Sequence, residues 1–149
     1  MDKLEIKKLA QQIAQEGYLM SLGTLDDGGV WVADVIYIAD ENFNLYWMSL
    51  PSVRHSKAIE VNNKVACTVT VSWEINKERA LQIEGVAEKV EGPIFELEKK
   101  IELKKGKEMP KVAGEVLGKG HSWYVIRPSK VELIHSELFG YKKQIVDLS

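Results

Sequence analysis

The run from Val30 to Ala39 constrains the fold more than any other, because it is apolar on both faces of any strand it forms. Val30, Val32, Ile36 and Ile38 fall on one side. Trp31, Ala33, Val35 and Tyr37 fall on the other, and only Asp34 interrupts. The next run behaves alike, with Leu45 and Trp47 opposed to Tyr46, Met48 and Leu50. Strands that are apolar on both faces need cover on both. One face can fill a barrel. The other must meet a helix, a ligand or a second subunit. In a chain of 149 residues a homodimer interface is the favoured cover, and the chain's own helices are the alternative.

The rest of the chain fits an antiparallel barrel. Residues 2–16 read as an amphipathic helix with Leu4, Leu9 and Ile13 on its apolar stripe, ended by Gly17. Residues 18–26 read as a strand, and Asp26-Asp27-Gly28-Gly29 is a hairpin signal. After the run from Leu45 to Leu50, a short helix starts past Pro51 with Ser52 as the expected N-cap. Val65, Cys67, Val69 and Val71 alternate with small polar residues, so Cys67 points into a core. Residues 79–90 form a long strand, with a bend or bulge at Gly85. Pro93 sits in the first turn of a surface helix running to about Lys105. Residues 106–120 read as a connector, with a mobile segment or lid as the alternative. Two strands follow, split by a turn at Pro128-Ser129. About seven strands and three helices without a βαβ rhythm exclude a doubly wound parallel sheet. The expectation is a mainly β, α+β domain over residues 1–149: an antiparallel split barrel of Greek-key type with peripheral helices.

Charge and composition remove several function classes. The net charge of −2 argues against a general nucleic-acid binder, and no apolar run is long enough to cross a bilayer. The N-terminus lacks a signal peptide's apolar stretch. One cysteine excludes an internal disulfide and makes cytoplasm the default compartment. His55, His121 and His135 are too scattered for a metal site. Carboxylate pairs such as Glu96 and Glu98 read as a solvated helix face. No nucleophilic or acid–base set is visible, so catalytic residues are unassigned. Any reactivity would come from a cofactor.

One stretch carries a site. Ser49 ends a strand, and Arg54, His55 and Lys57 crowd the start of the next helix. A helix N-terminus disfavours cations. Basic groups gathered there make sense around an anion, and free amides, a hydroxyl and an arginine together make a phosphate cradle.

These residues resemble the pyridoxamine 5′-phosphate oxidase-like split barrels. The similarity rests on Met48-Ser49, Arg54-His55, Ile59-Glu60-Val61-Asn62 and Lys64-Val65-Ala66, then on residues 81–90 and 123–131, in the family's order over about residues 4–135. The resemblance implies an FMN-binding homodimer with the flavin at the subunit interface. Ser49, next to Met48, would contact the flavin phosphate or ribityl chain. Arg54 would bind the phosphate, and His55 stands where the family often has lysine. Ala33, Asp34 and Val35 would lie on the strand along the ring edge, and Gln82 on a strand that offers the ring a polar contact. Lys142 and Lys143 would reach the partner's site, or else form a solvated tail. Lys57 is added from its helix position alone. The oxidase's long C-terminal substrate-holding segment is missing, so that activity is not expected. The implied function is an FMN-dependent oxidoreductase acting on an unidentified small molecule. Alternatives are a flavin carrier, sensor or stress protein, or the same barrel binding haem or a deazaflavin.

Overall fold

The computed structural model describes residues 1–149. In chain order the elements are α1 (Lys3–Glu16), β1 (Leu19–Asp26), β2 (Gly29–Ile36), β3 (Ile38–Ala39), β4 (Leu45–Ser49) and α2 (Arg54–Val61). They continue with β5 (Lys64–Ser72), β6 (Arg79–Val90), α3 (Phe95–Lys104), β7 (Ser122–His135), α4 (Ser136–Phe139) and β8 (Gln144–Ile145). Every strand pairing is antiparallel, in the order β2-β1-β5-β6-β7-β4-β3, with β8 added to β7. The two ends of that order are one continuous stretch of chain, since only Tyr37 separates β2 from β3. The sheet therefore closes on itself through a bent strand, and the mainly β, α+β barrel expected from the sequence is present.

Tyr37 holds the bend. Its amide donates to Tyr18 O at 3.3 Å, its hydroxyl donates to Ala14 O at 2.7 Å, and its carbonyl accepts from Lys104 Nζ at 2.8 Å. Burial pushes the Tyr37 phenol upward and drops the Lys104 amine to about 8. Gly17 ends α1 for a steric reason. Its φ of −61° is ordinary, but a Cβ there would overlap Tyr37 Oη. At the other end of α1, Asp2 and Glu5 form a reciprocal capping box.

The main core is a cluster of 22 buried residues drawn from α1 and the inward faces of the strands, among them Met20, Leu22, Trp47, Val69, Leu81 and Leu133. Cys67 points into it as expected, and burial lifts its thiol to about 12. The cover for the doubly apolar run is divided. Outside β3 and β4, Ile38, Tyr46 and Met48 pack with Leu97 and Ile101 of α3 and with Trp123. Outside β1 and β2 no helix lies, and Val30 and Val32 are 76% and 60% exposed. The chain's own helices thus answer half of the requirement.

Three local expectations need correction. Helix α2 starts one residue late, with Val53 rather than Ser52 at the N-cap and no side-chain cap. Pro93 precedes α3 instead of lying in its first turn, because Ile94 is the N-cap. Residues 122–135 form one strand, not two. Pro128 is tolerated inside it because the β6–β7 register shifts between Glu84 and Gly85, where Gly85 faces Pro128. A Cβ on Gly85 would stand 2.8 Å from Pro128 Cα, so the bulge requires glycine. No helix is long and apolar enough to cross a membrane.

Candidate functional site

Strand β4 ends at Ser49, and the turn through Leu50 and Pro51 leads straight into α2. Valine cannot cap a helix, so the first-turn amides are left without side-chain acceptors. The N–H groups of Arg54, His55 and Ser56 make no hydrogen bond within the chain, and the first helical bond is Lys57 N to Val53 O at 3.1 Å. Three converging donors at the positive end of a helix are an anion-binding arrangement. Ser49, only 8% exposed, is bonded through Oγ to His55 Nε2 at 2.8 Å. Burial pulls the His55 pKa below its ordinary 6.5, so the imidazole is neutral at pH 7. The Ser56 hydroxyl is fully buried and has no partner.

Arg54 is already engaged. Its Nε and Nη2 donate to the two oxygens of Asp26 at 3.1 and 3.2 Å, and its guanidinium carbon lies 4.5 Å from the centre of the Trp31 ring. The Arg54 hydrogen bond holds the Asp26 carboxyl below the usual carboxylate range, helped by a 2.9 Å bond from Gly28 N. Lys57 joins Arg54, Asp26, Asp27 and Gly28 around one open depression. The hairpin signal at residues 26–29 thus folds as expected and also delivers a carboxylate to the arginine, which sequence reading missed. Trp31 was missed too: its place opposite Thr24 turns it toward Arg54 of α2.

The other expected residues fall on two surfaces. Ala33 pairs with Leu22 and Val35 with Met20, so both side chains turn inward and leave only backbone for a ligand. That backbone lies on a strand whose second edge carries no ladder. Asp34 faces outward, accepts from Ser21 Oγ at 2.6 Å, and starts a cross-strand row that runs through Ser21, Thr68, Gln82 and Glu132. Gln82, Ser21 and Thr68 line a groove of about 470 Å³ on this outer face, with Val32, Lys130 and Glu132. Met48 is half-buried under α3 and offers no free side chain. Lys142 and Lys143 are exposed just before β8, which pairs with β7 at Glu132 and Leu133. That row crosses β1 at Ser21, about 17 Å along the strand from Asp26. Within one chain the two lysines do not join the α2 site.

Glu98 is the clearest reversal. It is fully buried, and its carboxylate accepts from the amides of Gly114, Val116 and Leu117 at 2.9 to 3.1 Å. The connector at 106–120 is therefore anchored on α3, close to the site: Gly120 lies against Leu50, and Ser122 pairs with Ser49. No group of three or more His, Cys, Asp or Glu residues is placed to hold a metal.

No family model matches the sequence, and no curated protein aligns with it significantly. Solved structures show the fold, which is that of the pyridoxamine 5′-phosphate oxidase-like split barrels. Among them, general stress protein 26 from Bacillus anthracis is 17% identical, with a TM-score of 0.69 over 95% of this chain and 99% of that one. A Listeria innocua protein provisionally assigned as a pyridoxamine 5′-phosphate oxidase is 15% identical, with a TM-score of 0.66 over 87% and 98%. A heme binding protein from Mycobacterium smegmatis is 16% identical, with a TM-score of 0.68, and this chain matches 57% of its length.

Proposed function

We propose that the protein binds FMN and serves as a flavin-dependent oxidoreductase in the form of a homodimer. The observation that carries this reading is the uncapped N-terminus of α2. Its amides at Arg54, His55 and Ser56 have no acceptor, and they stand beside the Ser49–His55 pair and Arg54. A phosphate monoester fits this donor set. It would accept from the amides and from the Ser49 hydroxyl, with Arg54 and Lys57 as counter-charges. The unpaired edge of β2 offers backbone donors and acceptors at residues 33–35 for a ring system. Flavin, when bound, supplies hydride or electron transfer. The chain's own part is to bind the phosphate, orient the ring and exclude water.

A second copy supports that last task. Leu19, Leu25, Val30 and Val32 form an uncovered apolar face on β1 and β2, next to the groove containing Gln82. Pairing of two such faces would complete the cover that α3 supplies only to β3 and β4. A Val32→Glu substitution should give monomers in equilibrium sedimentation. Unchanged assembly would move the interface elsewhere.

The direct test of the cofactor is an absorption scan of the purified protein through the near ultraviolet and visible. Flavin bands, or quenching of added FMN fluorescence, support the reading. A colourless protein that leaves FMN fluorescence unchanged overturns it. A Soret band would transfer the fold to haem, with His121 and His135 as the histidines outside the α2 site.

A further inference from the structure

We propose that Asp26 sets the affinity and selectivity of the α2 site by acting as a resident anion on Arg54. The inference rests on the phosphate reading of that site and concerns how strongly it discriminates. A guanidinium binds a phosphate best through a pair of parallel N–H donors. In this chain the Nε–Nη2 pair is occupied by both oxygens of Asp26, at 3.1 and 3.2 Å, and Trp31 stacks on the guanidinium at 4.5 Å. A ligand phosphate must then use the remaining Nη1–Nη2 edge, against a carboxylate already in place.

The local charges agree. Around the depression, Arg54 and Lys57 are opposed by Asp26 and Asp27, and His55, bonded to Ser49 outside it, brings no charge. The folded chain offers no net positive charge to a phosphate dianion there. Binding rests on the helix amides and the Ser49 hydroxyl, so the phosphate contributes little beyond what the ring contributes. The protein should therefore take FMN only slightly more tightly than riboflavin, and exchange it readily.

The hairpin keeps this arrangement in place. Asp26 closes the two-residue turn by accepting from Gly28 N at 2.9 Å, and a Cβ on Gly28 would come within 3.0 Å of Arg54 Nη2. The turn is thus packed onto the arginine, and the carboxylate does not swing free of it. Removing its charge while keeping an acceptor oxygen isolates the effect, which makes Asp26→Asn the informative variant. Asp26→Ser is the second, should the first fail to fold.

The experiment titrates FMN and riboflavin into the wild-type chain and the variant, followed by flavin fluorescence, and repeats the titration with inorganic phosphate by calorimetry. The expected result is FMN binding tightened about tenfold or more by Asp26→Asn, with riboflavin changed less than about twofold. Equal changes for both flavins, or weaker FMN binding, would overturn the proposal and make Asp26 a support for Arg54 instead. If neither protein binds either flavin, the flavin reading fails by itself. Phosphate then decides: tighter phosphate binding to the variant upholds the role of Asp26, and equal binding ends it.

Discussion

Two places in this molecule gather backbone amides around an anion position, and they are finished differently. In the loop after α3, the amides of Gly114, Val116 and Leu117 converge on Glu98, a buried carboxylate that the chain supplies itself. At the start of α2, the amides of Arg54, His55 and Ser56 converge on nothing from the chain. The Asp26 carboxylate, brought in by the β1–β2 hairpin, is spent on the Arg54 side chain. Where amides are needed for structure, the chain brings its own acceptor. Where they stay open beside a hydroxyl and a neutral imidazole, they are left to solvent or to an incoming anion.

The contrast is broken most sharply at its structural end. Glu98→Ala leaves three part-buried amides without their acceptor and should destabilise the protein by about 2 kcal/mol, read from urea denaturation. Amide exchange at Gly114, Val116 and Leu117 should rise in the same variant. A loss below about 1 kcal/mol would mean that water replaces the carboxylate. Next comes the open end. Arg54→Ala leaves Asp26 unpaired against the phosphate, so it should weaken FMN binding about 30-fold, about 2 kcal/mol, to below that of riboflavin, and cost the ligand-free chain about 1 kcal/mol through the lost Asp26 pair and Trp31 stacking. Equal FMN affinity in the two proteins would remove Arg54 from the site. Ser56→Ala is smaller and opposite in sign. Its hydroxyl is fully buried without a partner, so its removal should stabilise the ligand-free chain by about 1 kcal/mol in thermal unfolding. A destabilised Ser56→Ala would show that the hydroxyl has a partner after all.

The same contrast explains which features were legible in the sequence. The barrel was, because alternation in residues 64–72 and 79–90 records the inward face directly, and Gly85 announced its bulge. The grouping of Ser49 and His55 at the head of α2 was legible because Ser49, Arg54 and His55 lie close together in the chain. Asp26 was not, since it arrives from 28 positions away through a hairpin whose turn signal says nothing about its neighbours. Glu98 was misread for a related reason. A glutamate among Glu96, Lys99 and Lys100 looks solvated, and its partners are amides of a distant loop, which leave no side-chain signature. Pro128 suggested two strands because a proline usually breaks a ladder, and the register shift that excuses it belongs to β6. The two-sided apolar run demanded cover, yet only the packing showed that α3 serves β3 and β4 and leaves β1 and β2 open.

The finest test of the comparison is the pH response of His55. In the folded chain its pKa lies below 6.5, and burial is the only cause, so no neighbouring charge supports the imidazolium. The charges beside α2 are Asp26 and Asp27 of the hairpin and its own Arg54, Lys57 and Glu60. Between the lowered native pKa and 6.5 the unfolded chain binds more protons than the native one. Stability must therefore fall as pH drops through that window and be fully present above it. A His55→Gln variant lacks this contribution, so the two melting curves should converge on acidification below about pH 6.5. A bound phosphate reverses the sign, because a dianion beside the ring favours the imidazolium and binding then takes up a proton. FMN affinity should accordingly rise as pH falls toward 6 in the wild-type chain and stay flatter in His55→Gln. If both proteins show the same pH slope for FMN, the imidazole is not in contact with the anion, and the open end of the comparison shrinks to the amides and Arg54.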